Sequence, residues 1–272
     1  MREEWGFHWG LPQPAASSYA GDIDFLLILL HVVMVALYVI GVALFVVFLV
    51  KYRARDGHRA SYANPGESAS FLPAGLVLAF EIWLILAFEV PIWGAVKKST
   101  PPPAESLNVK LIAQQFAWNF QYPGPDGQFG RRSAALVTAE NSIGLDPEDP
   151  ASKDDIVTIN QLHVPLGKPT ILGMTSKDVI HDFQVVNFRN KQDIVPGMET
   201  VLWFEPTVAG KFEIGCAQLC GLGHTKMVGQ VTIETASEFE EWQKQQVAEN
   251  AAPSDTGTAD ARPVVPAVDS HS

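Results

Sequence analysis

Cysteine is nearly absent: the 272 residues hold only Cys216 and Cys220. That excludes a small scaffold stapled by several disulfides. Basic residues are scarce too, 19 Lys+Arg against 30 Asp+Glu, for a net charge of −11. The chain therefore has no basic patch suited to nucleic acid. No C-x-x-C-H occurs, so no c-type haem is attached. No P-loop, GxGxxG or Ser/His/Asp arrangement suggests catalysis by this chain alone. No internal repeat is present.

Charge is missing from two long stretches. Residues 25–50 carry none, and within residues 71–96 only Glu81 and Glu89 are charged. A helix of about 20 apolar residues crosses a hydrocarbon core of ~30 Å, so both stretches are long enough to span a membrane. Runs of this length are rare in soluble cores. The first is too long, and too far from Met1, for a cleaved signal peptide. The loop between them, "KYRARDGHR", carries Lys51, Arg53, Arg55 and Arg59, whereas only Arg2 precedes the first span. The positive-inside rule puts this loop in the cytoplasm and both termini outside. The expected location is a bacterial-type inner membrane, crossed twice, with a large domain on the periplasmic side.

Up to Val96 the balance is 5 basic to 8 acidic residues, or −3, which leaves −8 of the −11 for the remainder. An acidic external domain keeps the protein soluble and steers a basic partner. The expected divisions are an external segment 1–23, a hairpin 24–98 with helices over 24–52 and 71–96, and a Pro-rich linker 99–106. A β domain over 107–236 follows, then a helix 237–249 and a disordered tail 250–272. The β reading rests on short runs rich in β-branched and aromatic residues, such as "HDFQVVNF" and "TVLWFEP". Several such strands suggest a small antiparallel sandwich or barrel. Residues 123–155 break the pattern and read as a surface excursion. Ser237 is the expected cap of the last helix, with Glu238 and Glu240 in its first turn.

Both cysteines lie in "CAQLCGLGHTKM", residues 216–227. A plain disulfide would close a very short loop, add little stability, and leave His224 and Met227 unexplained. Thiolate, imidazole and thioether together select copper over harder ions. His181, in "DVIHDFQV", is the candidate second histidine, and a second thiolate lets two coppers share both sulfurs. His31, His163, His8, His58 and His271 stand outside this pattern.

The hairpin, the external β domain, "DVIH" and then "CAQLCGLGHTKM" resemble subunit II of the haem–copper cytochrome c oxidases over about residues 20–245. The resemblance implies a cupredoxin-like Greek-key barrel holding the dinuclear copper centre CuA. It implies ligands at His181, Cys216, Cys220, His224 and Met227, with the backbone carbonyl of Gln218. It further implies electron entry from cytochrome c, delivery to haem in subunit I, oxygen reduction with proton pumping, and subunit III as a further partner. Many members carry Glu where Gln218 stands, and that Glu helps bind magnesium at the subunit I border. Gln218 keeps the carbonyl but loses the charge, which weakens the case for magnesium. Phe116 and Trp118 in "QQFAWNFQY" align with the aromatic electron-entry positions, and Asp178 with an acidic residue near the docking face. "KQDIVPG" aligns with a segment that faces subunit I. Glu81 is read as a displaced proton-path residue from its depth in the second span, with Glu67 as the other candidate. The competing readings are a copper-delivery or thiol–disulfide protein and a quinol oxidase subunit II. The first is opposed by the β-rich texture and the second by the metal ligands.

Overall fold

A computed structural model describes residues 13–57, 59, 68–98 and 100–251. Two helical spans support a β domain. Helix α1 covers Ala20–Lys51, beginning before the boundary expected at residue 24. The second span is α2 (Ser68–Leu84), one π turn (Ile85–Glu89) and α3 (Val90–Lys98). The π turn ends two residues before Pro91, which is the second residue of α3. Proline has no N–H to give the carbonyl four residues back and its ring crowds that carbonyl, so the helical ladder widens there. The apolar side chains of both spans are largely exposed in the isolated chain, as lipid-facing or subunit-facing helices require and core helices of a soluble protein do not. Glu67 lies outside the described residues, as do residues 1–12 and 252–272.

The β domain consists of two five-stranded sheets. In the first the order is β3 (Ile156–Ile159), β2 (Ala117–Tyr122), β1 (Leu107–Gln114), β5 (Thr170–Ser176) and β8 (Thr200–Phe204). In the second it is β4 (Gln161–Pro165), β10 (Val228–Glu234), β9 (Gly210–Cys216), β6 (His181–Val185) and β7 (Asn190–Ile194). Trp118, Phe120, Phe183, Phe204, Leu172 and Val231 pack in the core between them. Burying each large side chain contributes about 1.5–3 kcal/mol. The expectation of an antiparallel domain fails at two pairs, since β1 runs parallel to β5 and β4 parallel to β10. The two-layer, cupredoxin-like sandwich itself is present.

Residues 123–155 do not hang free. Ser142 Oγ donates to Asn119 Oδ1 at 2.8 Å and Gly130 N to Asp155 Oδ2 at 2.9 Å. The segment thus covers the polar face of β2, where Asn119 and Gln121 are buried. Helix α4 covers Ala236–Ala251, and its cap is Thr235 rather than Ser237. Thr235 Oγ1 accepts from Glu238 N at 3.3 Å, and Glu238 Oε2 accepts from Thr235 N at 2.9 Å. This reciprocal capping box satisfies two donors, which Ser237 is placed too late to do. The helix docks through Trp242, whose ring stacks on His163 with centroids 4.4 Å apart. His163, otherwise a lone strand histidine, is accounted for by this contact and by its hydrogen bond to Glu234.

The outer ends of both spans are tied to the β domain. Arg189 grips Asp24 at the start of α1 with two bonds, 2.6 and 3.0 Å. Tyr19 packs edge-on against Trp203, and Trp203 Nε1 donates to the Val96 carbonyl near the end of α3 at 2.7 Å. The start of the first span and the end of the second therefore meet the same domain, as a membrane hairpin demands.

Candidate metal centre

The site forms where the ends of β6 and β9 meet the loop that leaves β9. His181 opens β6 and is completely buried. Its Nε2 is 2.9 Å from Asp178 Oδ1, an acceptor, so Nε2 carries the proton. Nδ1 is buried and has no hydrogen-bond partner. A buried ring nitrogen left bare is expensive unless something binds it.

Cys216 ends β9 and Cys220 lies buried in the following loop. Both are free thiols, with sulfurs 3.8 Å apart, well beyond the ~2.05 Å of a disulfide. One ligand atom each of His181, Cys216 and Cys220 fall within 4.8 Å of one another. Cys220 Sγ also lies 3.6 Å from His224 Nδ1 and 3.7 Å from Met227 Sδ. The Gln218 carbonyl sits 3.1 Å from Cys216 Sγ, although the Gln218 side chain is exposed. His181 and the two thiols form the compact cluster, while His224 and Met227 are placed beside Cys220 alone; thiol, imidazole and thioether are soft donors of the kind copper takes.

Burial, and next the charge of Cys216, push the Cys220 thiol up to about 11. Cys220 is therefore a protonated thiol at neutral pH, and a metal bound there would displace its proton. Asp178 shows the reverse balance. Burial raises its carboxyl, but hydrogen bonds from His181, Gln115 and Val179 outweigh that and hold it below the usual carboxylate range.

The sequence aligned Asp178 with an acidic residue near the docking face; the structure adds its contact with His181 Nε2. Gln115 was not singled out. The Gln115 backbone N–H donates to Asp178 Oδ2 at 2.7 Å, and its side-chain amide to the Cys220 carbonyl at 2.6 Å. One residue thus braces both ligand-bearing loops. Trp118 is buried and meets His181 edge-on, with centroids 6.1 Å apart, whereas Phe116 is 37% exposed and lies over Gly221 and Gly223. Of the two aromatic positions, only Phe116 reaches the surface. Glu81 sits exposed on α2 and is not gathered to this cluster.

Residues 107–235 match the family model for the cytochrome c oxidase subunit II periplasmic domain. The chain is 35% identical over 197 residues to the alternative cytochrome c oxidase subunit 2 of Bradyrhizobium diazoefficiens, covering 72% of this chain and 70% of that protein. It is 27% identical over 276 residues to cytochrome c oxidase subunit 2 of Thermostichus vulcanus, covering 91% and 82%. A crystal structure of the periplasmic domain of cytochrome oxidase subunit II from Bradyrhizobium japonicum is similar at 26% identity, covering 56% of this chain and 99% of that one with a TM-score of 0.41. The chain belongs to the cytochrome c oxidase subunit II family and is a subunit of a membrane oxidoreductase complex.

Proposed function

We propose that this subunit is the electron-entry point of its oxidase. His181, Cys216, Cys220, His224, Met227 and the Gln218 carbonyl hold a dinuclear copper centre. The observation that carries the reading is the gathering of one His181 ring nitrogen and two free thiols within 4.8 Å, beside a buried His181 Nδ1 that has no hydrogen-bond partner. Bound there, copper would supply one-electron redox chemistry. The chain's own residues do the rest. Asp178 fixes the His181 tautomer and ring orientation, as partners behind metal-bound histidines do. Gln115 holds the Cys220 loop against that same carboxylate, so the donors are placed before metal arrives. Ala217 N donates to the Asp182 carbonyl at 3.0 Å and ties the loop to β6. Phe116 offers a surface contact for a cytochrome c donor, and Trp118 lies inside it against His181.

The bound partners in this reading are subunit I, which takes the electron onto haem, and subunit III. Contacts of the β domain with both outer helix ends support a periplasmic domain and periplasmic termini, with the basic loop from Lys51 in the cytoplasm. Magnesium is not assigned to Gln218, whose neutral side chain brings no charge. The test is turnover of the assembled, reconstituted oxidase with reduced cytochrome c as donor. Cys216→Ser and His181→Ala should lose electron input while the haem content of subunit I is unchanged. Undiminished turnover in both variants would overturn the assignment.

A further inference from the structure

The segment covering β2 holds a second constellation of side chains, made of oxygen rather than sulfur. Asp155 is 3% exposed and carries its carboxylate inside the domain. Its Oδ2 accepts from Gln121 Nε2 at 2.6 Å and from Gly130 N at 2.9 Å. Its Oδ1 has no partner, and neither do Gln121 Oε1 or Ser152 Oγ, all three buried. The three residues converge on Gly130. Gln121 Nε2 also reaches the Gly130 carbonyl at 3.2 Å. A Cβ on Gly130 would stand 2.2 Å from Ser152 Oγ, so only glycine leaves the space open.

Among the described residues no cation forms an ion pair with Asp155, and Lys110 and Arg132 act on it only through space. The acids Asp126 and Asp154 lie nearby and add negative potential. A buried carboxylate with a bare oxygen and no cation is costly. A groove of about 880 Å³ runs alongside, with Ser152 and Asp155 among its lining residues together with Glu140 and Gln246.

We propose that Asp155 Oδ1, Gln121 Oε1 and Ser152 Oγ form a binding site for a hard divalent cation of the calcium class. Carboxylate, amide and hydroxyl oxygens are the ligands such an ion takes, with water from the groove completing its shell. Magnesium fits less well, because it demands strict octahedral geometry and holds its waters. A buried water would satisfy three oxygens only in part, and it would bring no charge into contact with Asp155. With one carboxylate in contact, the affinity falls in the weak extracellular range, about 10⁻⁴–10⁻³ M. A bound ion would pin residues 130 and 152–155 to β2.

The test is a calcium titration of the full-length, copper-loaded chain in detergent, followed by calorimetry. The site predicts one saturable equivalent of calcium, with binding weakened roughly tenfold or more in Asp155→Asn and in Ser152→Ala. Copper content should be unchanged in both. Ser152→Ala retains the Asp155 hydrogen bonds and decides the matter if Asp155→Asn does not fold. No saturable calcium uptake by the wild-type protein would overturn the proposal and leave water in the cluster. Undiminished uptake in Ser152→Ala would also overturn it, by moving the binding to the exposed carboxylates.

Discussion

Gly221 and Gly223 flank Leu222 in the ligand loop, and they are glycines for different reasons. At Gly223 an added Cβ would stand 2.5 Å from Phe116 Cδ2 and 2.8 Å from its Cγ. Carbon atoms pack best at about 3.5–4.0 Å, so the ring must move by about 1 Å. Because Cγ is the near end of the side chain, a small tilt does not relieve the clash. Gly223→Ala should therefore cost about 1–3 kcal/mol, the usual penalty of overpacking. The backbone at Gly223 has φ −91°, which alanine tolerates. Removing the ring should then remove the cost. Gly223→Ala combined with Phe116→Ala should be destabilised no more than Phe116→Ala alone, a coupling of at least about 1 kcal/mol. Gly221 has φ +135°, and its added Cβ would lie 2.6 Å from Gln115 Nε2. Backbone strain there costs about 1–3 kcal/mol, and Gln115→Ala cannot rescue it. Urea unfolding of the copper-loaded full-length chain, read by tryptophan fluorescence, compares the two cycles. Equal destabilisation by Gly223→Ala with and without the Phe116 ring would refute the contact argument. Full rescue of Gly221→Ala by Gln115→Ala would refute the backbone argument.

The capping box of α4 predicts a pH dependence. Hydrogen bonds from the Thr235 side chain and backbone hold the Glu238 carboxyl below its ordinary 4.5. Its stabilisation is present above that pH and lost as pH falls through the lower folded value. The thermal stability gap between wild type and Glu238→Gln should shrink on acidification below about 4.5, and a pH-independent gap would contradict the capping assignment. Thr235→Ala should cost about 0.5–2 kcal/mol in the same assay. Arg189→Ala leaves Asp24 without its partner and should cost about 3–5 kcal/mol. Limited proteolysis should then cut residues 13–19 faster, and unchanged cleavage would show that the clamp does not hold the segment.

The candidate donors stood out in the sequence because four of them share one short stretch, and copper's preference for soft donors leaves few other readings of Cys, Cys, His and Met. The spans were legible from length and missing charge. Strand content was legible from β-branched runs, but strand partners were not: β1 and β5 pair in parallel although 55 residues lie between Gln114 and Thr170, a pairing no local pattern encodes. The Gln115 brace spans 105 positions to Cys220 and was hidden for the same reason. The contact of Asp178 with His181 is closer to hand, three residues apart, and the "DVIH" spacing contains the signal. The π turn was signalled by Pro91 alone. Residues 123–155 read as a surface excursion because they break the strand pattern, yet their polar groups bond Asn119 Oδ1 and Gln121 Nε2 on the buried face of β2.

The central claim is that one chain binds two coppers between shared sulfurs. The direct measurement is copper content together with the paramagnetic resonance spectrum of the loaded full-length chain in detergent. The account predicts two coppers per chain and a seven-line hyperfine pattern, the splitting of one unpaired electron shared equally by two copper nuclei. One copper with a four-line pattern, or a copper-free disulfide between Cys216 and Cys220, would contradict it.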